Sequence, residues 1–144
     1  MYNECLSEKI LSKKPYPMVD VAAERAARVL LIEDDRSMRR MASAGLRNYC
    51  DVIEAPDASQ GITSYNSYQP DIVFMDIELP DGDGHNLLTW ILHNDPGAFV
   101  VMFSGHYNTD NIIKSIDIGA KGFIAKPFDL SKMLHFVNLC PKLH

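Results

Sequence analysis

The sequence predicts an α/β fold in which a doubly wound, five-stranded parallel sheet carries helices on both faces. Three observations lead there. Short continuous apolar runs recur along the chain, stretches of helical periodicity separate them, and the residues that follow the runs are acidic, hydroxyl or cationic. Continuous apolar runs are what parallel strands covered on both faces require, and their alternation with helices is the pattern of a doubly wound sheet.

The strands come in order. Val29-Leu30-Leu31-Ile32 is the first. Asp51 to Ala55 is more polar and is placed at an edge. Ile72-Val73-Phe74-Met75 and Phe99-Val100-Val101-Met102-Phe103 are the third and fourth, and Phe123-Ile124-Ala125 is a short fifth. Helices fill the intervals. Residues 36–48 place Met38, Met41, Ala42 and Gly45 on one face. Residues 57–67 begin at Asp57, a good N-cap. Residues 84–94 carry Leu87, Leu88, Ile91 and Leu92, and residues 109–118 carry Ile112, Ile113 and Ile116 before Gly119, a natural C′ residue. Residues 130–140 present Leu130, Met133, Leu134 and Val137 at i, i+3, i+4 and i+7 behind an Asp129 cap. Met38, Met41, Met75 and Met102 are read as core fillers, and Trp90 as a helix-edge residue without a function. Asp81-Gly82-Asp83-Gly84 is a turn; as a calcium loop it lacks the Glu that such a loop needs at its twelfth position.

Composition narrows the function. The 144 residues suit one domain, and an apolar fraction of 47% is enough for one buried core. The formal charge of −5, without a Lys/Arg run, argues against nucleic-acid binding. The longest strongly apolar runs are about five residues, against the roughly 20 that a membrane span needs. Cys5, Cys50 and Cys140 are odd in number and widely spaced, which is neither a disulfide framework nor a zinc site, so a cytoplasmic protein with reduced thiols is expected. Residues 1–27 read as an N-terminal extension: Lys13-Lys14-Pro15-Tyr16-Pro17 is extended, and Ala22 to Arg28 forms a short helical lead-in. Residues 28–144 form the domain.

In an open α/β sheet the ligand site lies beyond the carboxyl ends of the strands. After the first strand come Glu33, Asp34 and Asp35; after the third, Asp76 and then Glu78; after the fourth, Ser104; after the fifth, Lys126-Pro127. Any one of these alone is most often a cap or turn residue. Together they bring carboxylates, a hydroxyl and an ammonium to one rim. Carboxylates at close range repel one another unless a cation compensates. Such an oxygen site suits Mg2+, which accepts a phosphate oxygen, with Asp76 as the nucleophile and Lys126 and Ser104 on the phosphoryl oxygens.

The sequence resembles the receiver domain of two-component response regulators, above all the stand-alone chemotaxis type. The resemblance is carried by LLIEDDRSMRR (Leu30 to Arg40), DIVFMDIELPDGDG (Asp71 to Gly84), VVMFSG (Val100 to Gly105) and AKGFIAKPF (Ala120 to Phe128), spanning roughly residues 28–140. It implies a flavodoxin-like sheet of strand order 2-1-3-4-5 and a phosphoryl group accepted by Asp76 from a histidine kinase or phosphotransfer protein. It further implies Asp34 and Asp76 as direct Mg2+ ligands, Glu33 holding metal-bound water, and the Glu78 backbone carbonyl as a further ligand. Ser104 and Phe123 match the switch residues, and Lys126 matches the lysine that pairs with the phosphoryl group, with a cis bond to Pro127. The output is then binding to a downstream target protein, since the stretch after Pro127 builds only the last helix. Whether phosphorylation drives homodimerisation through the fourth and fifth helices is left open.

Two departures narrow the mechanism. The chemotaxis type has Tyr where this chain has Phe123, so no hydroxyl is available there. The positions two beyond Asp76 and two beyond Ser104 are Glu78 and His106, which would tune the lifetime of the acyl phosphate. Two other readings compete. One is a receiver-like binding module that takes no phosphate, which requires loss of part of the site. The other is an aspartyl-phosphate phosphatase, which places its nucleophile after the first strand with an acid two residues later; Glu33-Asp34-Asp35 does not fit that pattern.

Overall fold

Residues 26–105, 109–127 and 129–141 are described by the computed structural model. The sheet strands are β1 (Arg28–Ile32), β2 (Asp51–Ala55), β3 (Ile72–Asp76), β4 (Val100–Ser104) and β5 (Gly122–Ala125). Between them run α1 (Arg36–Leu46), α2 (Ala58–Tyr68), α3 (Gly84–Asn94) and α4 (Thr109–Ile118), and α5 (Leu130–Leu139) follows β5. The strands are all parallel in the order β2-β1-β3-β4-β5, as expected. A two-residue antiparallel ribbon, Glu78–Leu79 against Gly82–Asp83, is added in the β3–α3 loop. The expected extension and the expected helical lead-in fall mostly outside the described residues. Ala26 and Ala27 are not helical, and the Ala27 carbonyl already accepts the Asp51 N–H at 2.9 Å.

Every residue of β3 and β4 is buried, which is why these runs are apolar without alternation. Successive side chains feed two cores. Val29, Leu31, Phe74, Val101 and Phe103 pack with Ala42 and Leu46 of α1 and with Met133, Leu134 and Val137 of α5. Leu30, Ile32, Val73, Met75, Val100 and Met102 pack with Leu87, Leu88 and Ile91 of α3. The edge strand β2 is only partly buried, in keeping with its polarity.

Four helices start on an aspartate whose side chain accepts an N–H of the first turn: Asp35, Asp57, Asp83 and Asp129. At the end of α4, Gly119 has φ +129 and the Ala120 N–H donates to the Ser115 carbonyl at 2.9 Å. This is the expected C′ role, since a positive φ favours glycine.

Two helix faces differ from expectation. Met41 is 70% exposed, because α1 turns Ala42, Ser43 and Leu46 to the core instead. On α4, Ile113 and Ile116 are exposed, while Ser115 is the buried residue. The apolar period of α4 thus marks a face left exposed among the described residues.

Cys50 and Cys140 are buried in the α1/α5 core, and burial, with the neighbouring Asp51 charge, pushes the Cys50 thiol up to about 12. The thiolate is the reactive form, so Cys50 and Cys140 should stay unlabelled by iodoacetamide at pH 8 in the native protein and react fully in denaturant. Peptide mapping reads the outcome; labelling of native Cys50 at the rate of a free thiol would contradict this packing.

Candidate functional site

The carboxyl ends of β1, β3, β4 and β5 meet at one rim because the strands are parallel and in register: Ile32 pairs with Met75, Asp76 with Phe103, and Ser104 with Ala125. Each strand therefore delivers its next polar residue to the same place. Glu33 is fully buried, and Asp76 and Ser104 nearly so, at 0%, 4% and 1% exposed. Asp34 is exposed at the mouth.

Lys126 joins the strand ends. Its Nζ lies 2.6 Å from Asp76 Oδ2 and is ion-paired with Glu33 Oε1. The Lys126 N–H donates to the Ser104 carbonyl at 2.9 Å, and the bond to Pro127 is cis, as the resemblance implied. Asp76 Oδ1 accepts the Glu78 N–H at 3.0 Å, and Glu33 Oε2 accepts the Asp35 N–H at 3.2 Å. Burial pushes the Glu33 carboxyl up to about 7, with the Lys126 hydrogen bond pulling down and the Asp76 charge pushing up. Burial lowers the Lys126 ammonium, but hydrogen bonds to Asp76 and Glu33 outweigh it and leave its pKa raised.

Glu33, Asp34 and Asp76 each present an oxygen within 4.8 Å of the others. Two buried carboxylates and an exposed third make an all-oxygen donor set that fits a hard divalent cation such as Mg2+. The side chain of Glu78 is exposed. Phe123 lies partly buried on β5, opposite Met102, and lines a cavity of about 460 Å3 with Lys132, His135 and Phe136. His106 lies outside the described residues.

Three residues that shape the site were given no part in it by the sequence, although Asp81 and Gly84 were read as a turn. Arg39 donates from Nη1 to the Glu33 carbonyl at 2.8 Å and the Asp34 carbonyl at 3.4 Å, while its Nε pairs with Glu54 of β2 at 3.2 Å. It holds the acidic loop by its backbone. Asp81 accepts the Ala58 and Ser59 N–H groups at 2.8 and 2.9 Å, which ties the loop after Asp76 to the start of α2 and lowers the Asp81 pKa. Gly84 abuts the acceptor strand: a Cβ there would lie 2.3 Å from the Asp76 carbonyl and 2.7 Å from Ile77 Cα. Arg39 is one of several arginines on α1, and the partner of Asp81 is 23 residues away, so neither had a local signal.

Residues 29–138 match the family described as the response regulator receiver domain. The chain belongs to that family. It is 36% identical over 115 residues to the chemotaxis protein CheY of Bacillus subtilis (strain 168), covering 78% of this chain and 96% of that one. It is 32% identical over 117 residues to the chemotaxis protein CheY of Thermotoga maritima, covering 80% and 98%. Among solved structures, a CheY-like receiver domain protein from Methanospirillum hungatei JF-1 aligns with a TM-score of 0.75 at 25% identity, covering 80% of this chain and 93% of its own. The signal receiver domain of a putative Luxo repressor protein from Vibrio parahaemolyticus aligns with a TM-score of 0.76 at 27% identity, covering 82% and 92%. As a receiver domain the chain is a component of two-component signalling. Among the described residues no helix is long and apolar enough to cross a membrane.

The receiver site makes a direct prediction about Lys126. Without metal, Lys126→Met leaves Glu33 and Asp76 opposed and uncompensated, so the variant should lose about 3–5 kcal/mol of stability. Added Mg2+ should raise its Tm more than that of the wild type. Denaturant melts in EDTA and in Mg2+ make the comparison, and equal stability of the two proteins in EDTA would refute it.

Proposed function

We propose that this receiver domain accepts a phosphoryl group on Asp76 from a histidine kinase or a histidine phosphotransfer protein and converts it into a change of protein-binding surface. The observation that carries the reading is the Asp76 carboxylate, held by Lys126 and the Glu78 N–H beside Glu33 and Asp34. An Asp76 oxygen forms a bond to phosphorus as the donor's P–N bond breaks and the imidazole nitrogen leaves. Mg2+, held by Asp34, Asp76 and the Glu78 carbonyl with Glu33 on a bound water, would neutralise the charge gathered at the phosphoryl oxygens. Lys126 exchanges its bond with the free carboxylate for one with the new phosphoryl oxygens, and Ser104 contacts them from β4. Phe123 then turns inward as Ser104 moves, altering the face made by α4, β5 and α5. The chemotaxis relatives, matched over nearly their whole length, support a regulator whose target is a protein.

Intact-mass spectrometry after incubation with a small phosphodonor tests the acceptor. A gain of one phosphoryl group should appear with Mg2+, and be absent with EDTA and in Asp76→Asn. A wild-type protein that neither gains mass nor consumes the donor would overturn the reading in favour of a phosphate-independent binding module.

In receivers the positions two beyond the acceptor aspartate and two beyond the switch hydroxyl border the path of the attacking water. Glu78 and His106 hold those positions in the sequence, and we assign them the setting of the acyl-phosphate lifetime. Glu78→Ala and His106→Ala should each change the dephosphorylation rate by about three- to tenfold, the worth of one net hydrogen bond to the water. Release of phosphate at the wild-type rate from both variants would sink that assignment.

A further inference from the structure

His85 is a buried histidine that the phosphoryl chemistry does not use, and it joins two helices. It is the second residue of α3 and 3% exposed, and its Nε2 lies 2.8 Å from the Oγ of Ser115, which is fully buried on α4. Ser115 donates its hydroxyl proton to the Asn111 carbonyl at 2.8 Å. A hydroxyl has one proton, so Ser115 must accept from His85, and the imidazole carries its proton on Nε2. On the other side of the ring, Nδ1 faces Asp83 Oδ1 at 3.5 Å, the oxygen that also accepts the His85 N–H at 2.8 Å. Burial holds the imidazole below its ordinary pKa; Asp83 opposes that, Lys114 adds to it, and the Asn111 backbone opposes it. Asp83, His85 and Ser115 have the composition of a hydrolytic relay, but Ser115 is enclosed and its proton is engaged, so no nucleophile is presented.

The start of α3 is in turn fastened to the acceptor strand. Gly84 donates its N–H to the Ile77 carbonyl at 2.6 Å, and its Cα leaves no room for a Cβ against the Asp76 backbone. Residues 76–77 and 84–85 are thus joined by a hydrogen bond and a close backbone contact, and the His85 ring links them to α4. The receiving helix is the one that turns Ile113 and Ile116 outward. A buried hydrogen bond is directional, and breaking it leaves two desolvated polar groups, whereas apolar contacts tolerate sliding.

We propose that His85 is a positioning residue whose hydrogen bond to Ser115 clamps α4 to the loop after Asp76 and holds that helix in its unphosphorylated register. The proposal rests on the phosphoacceptor reading and names how the state of Asp76 reaches α4. A ligand that favours the shifted state works against the clamp, so removing the clamp must raise that ligand's affinity.

Hydrogen exchange of the α4 amides, without any phosphodonor, tests the clamp. Ser115→Ala and His85→Leu should each speed exchange in residues 109–118 by about three- to tenfold, the equivalent of one buried hydrogen bond. The double variant should exchange no faster than either single one, and His85→Gln, which can keep a donor near Nε2, should stay close to wild type. Peptides from α1 and α5 should not change. Affinity for beryllofluoride with Mg2+, a mimic of the phosphoryl group, should rise by a similar factor in the two single variants. Unchanged α4 exchange, additive effects, or equal acceleration in α1 and α5 would each overturn the clamp. If α4 responds as expected while the wild type takes neither phosphoryl nor beryllofluoride, the clamp stands and the phosphoacceptor reading falls.

Discussion

One ammonium at the end of the sheet holds together what would otherwise fly apart. Glu33 and Asp76 arrive on neighbouring strands, both buried, and Lys126 from the far edge pairs with each of them. Two carboxylates withdrawn from water without a cation would be costly. With it they form a preorganised oxygen site in which, with Asp34, three carboxylates still outnumber the one ammonium, a balance that suits a divalent cation. The apolar strands serve this arrangement by fixing the rim. Their register is set by burial on both faces, and a slip of one residue would turn every polar terminus away from the site.

Around that pair the backbone is held by contacts that do no chemistry. Arg39 grips two carbonyls of the acidic loop and is itself anchored on Glu54 of the edge strand. Asp81 closes the loop after Asp76 onto α2, and Gly84 lets α3 begin in contact with the acceptor strand. The site is thus stiff on the β1 and β3 sides. The hydrogen bond from His85 to Ser115 continues that connection to α4, the helix that leaves two isoleucines uncovered.

Local patterns recovered most of the fold. Strand β2 and helices α3 and α4 have the expected bounds, and the Asp57 and Asp129 caps form as read, because capping and apolar runs depend only on near neighbours. The inward faces of α1 and α4 were harder. Met41 and Ile113 continue an apolar period, but which stripe meets the sheet depends on the angle at which each helix packs. The exposed isoleucines of α4 follow from that, and so does the burial of Ser115, which no propensity would place in a core.

By itself, then, the amino-acid sequence determined the alternating α/β architecture, the strand order through its resemblance to receivers, and the identity of the acidic, hydroxyl and lysine residues at the strand ends. These are one-dimensional properties: periodicity, motif and spacing. Tertiary structure alone decided that Lys126 bridges Glu33 and Asp76, that Arg39 and Asp81 hold the loops, and that His85 meets Ser115 thirty residues away. Apart from the grip of Arg39 on the Glu33 carbonyl six residues before it, these are contacts between segments far apart in the chain. All depend on distances of a few ångströms that are set only when the helices close on the sheet.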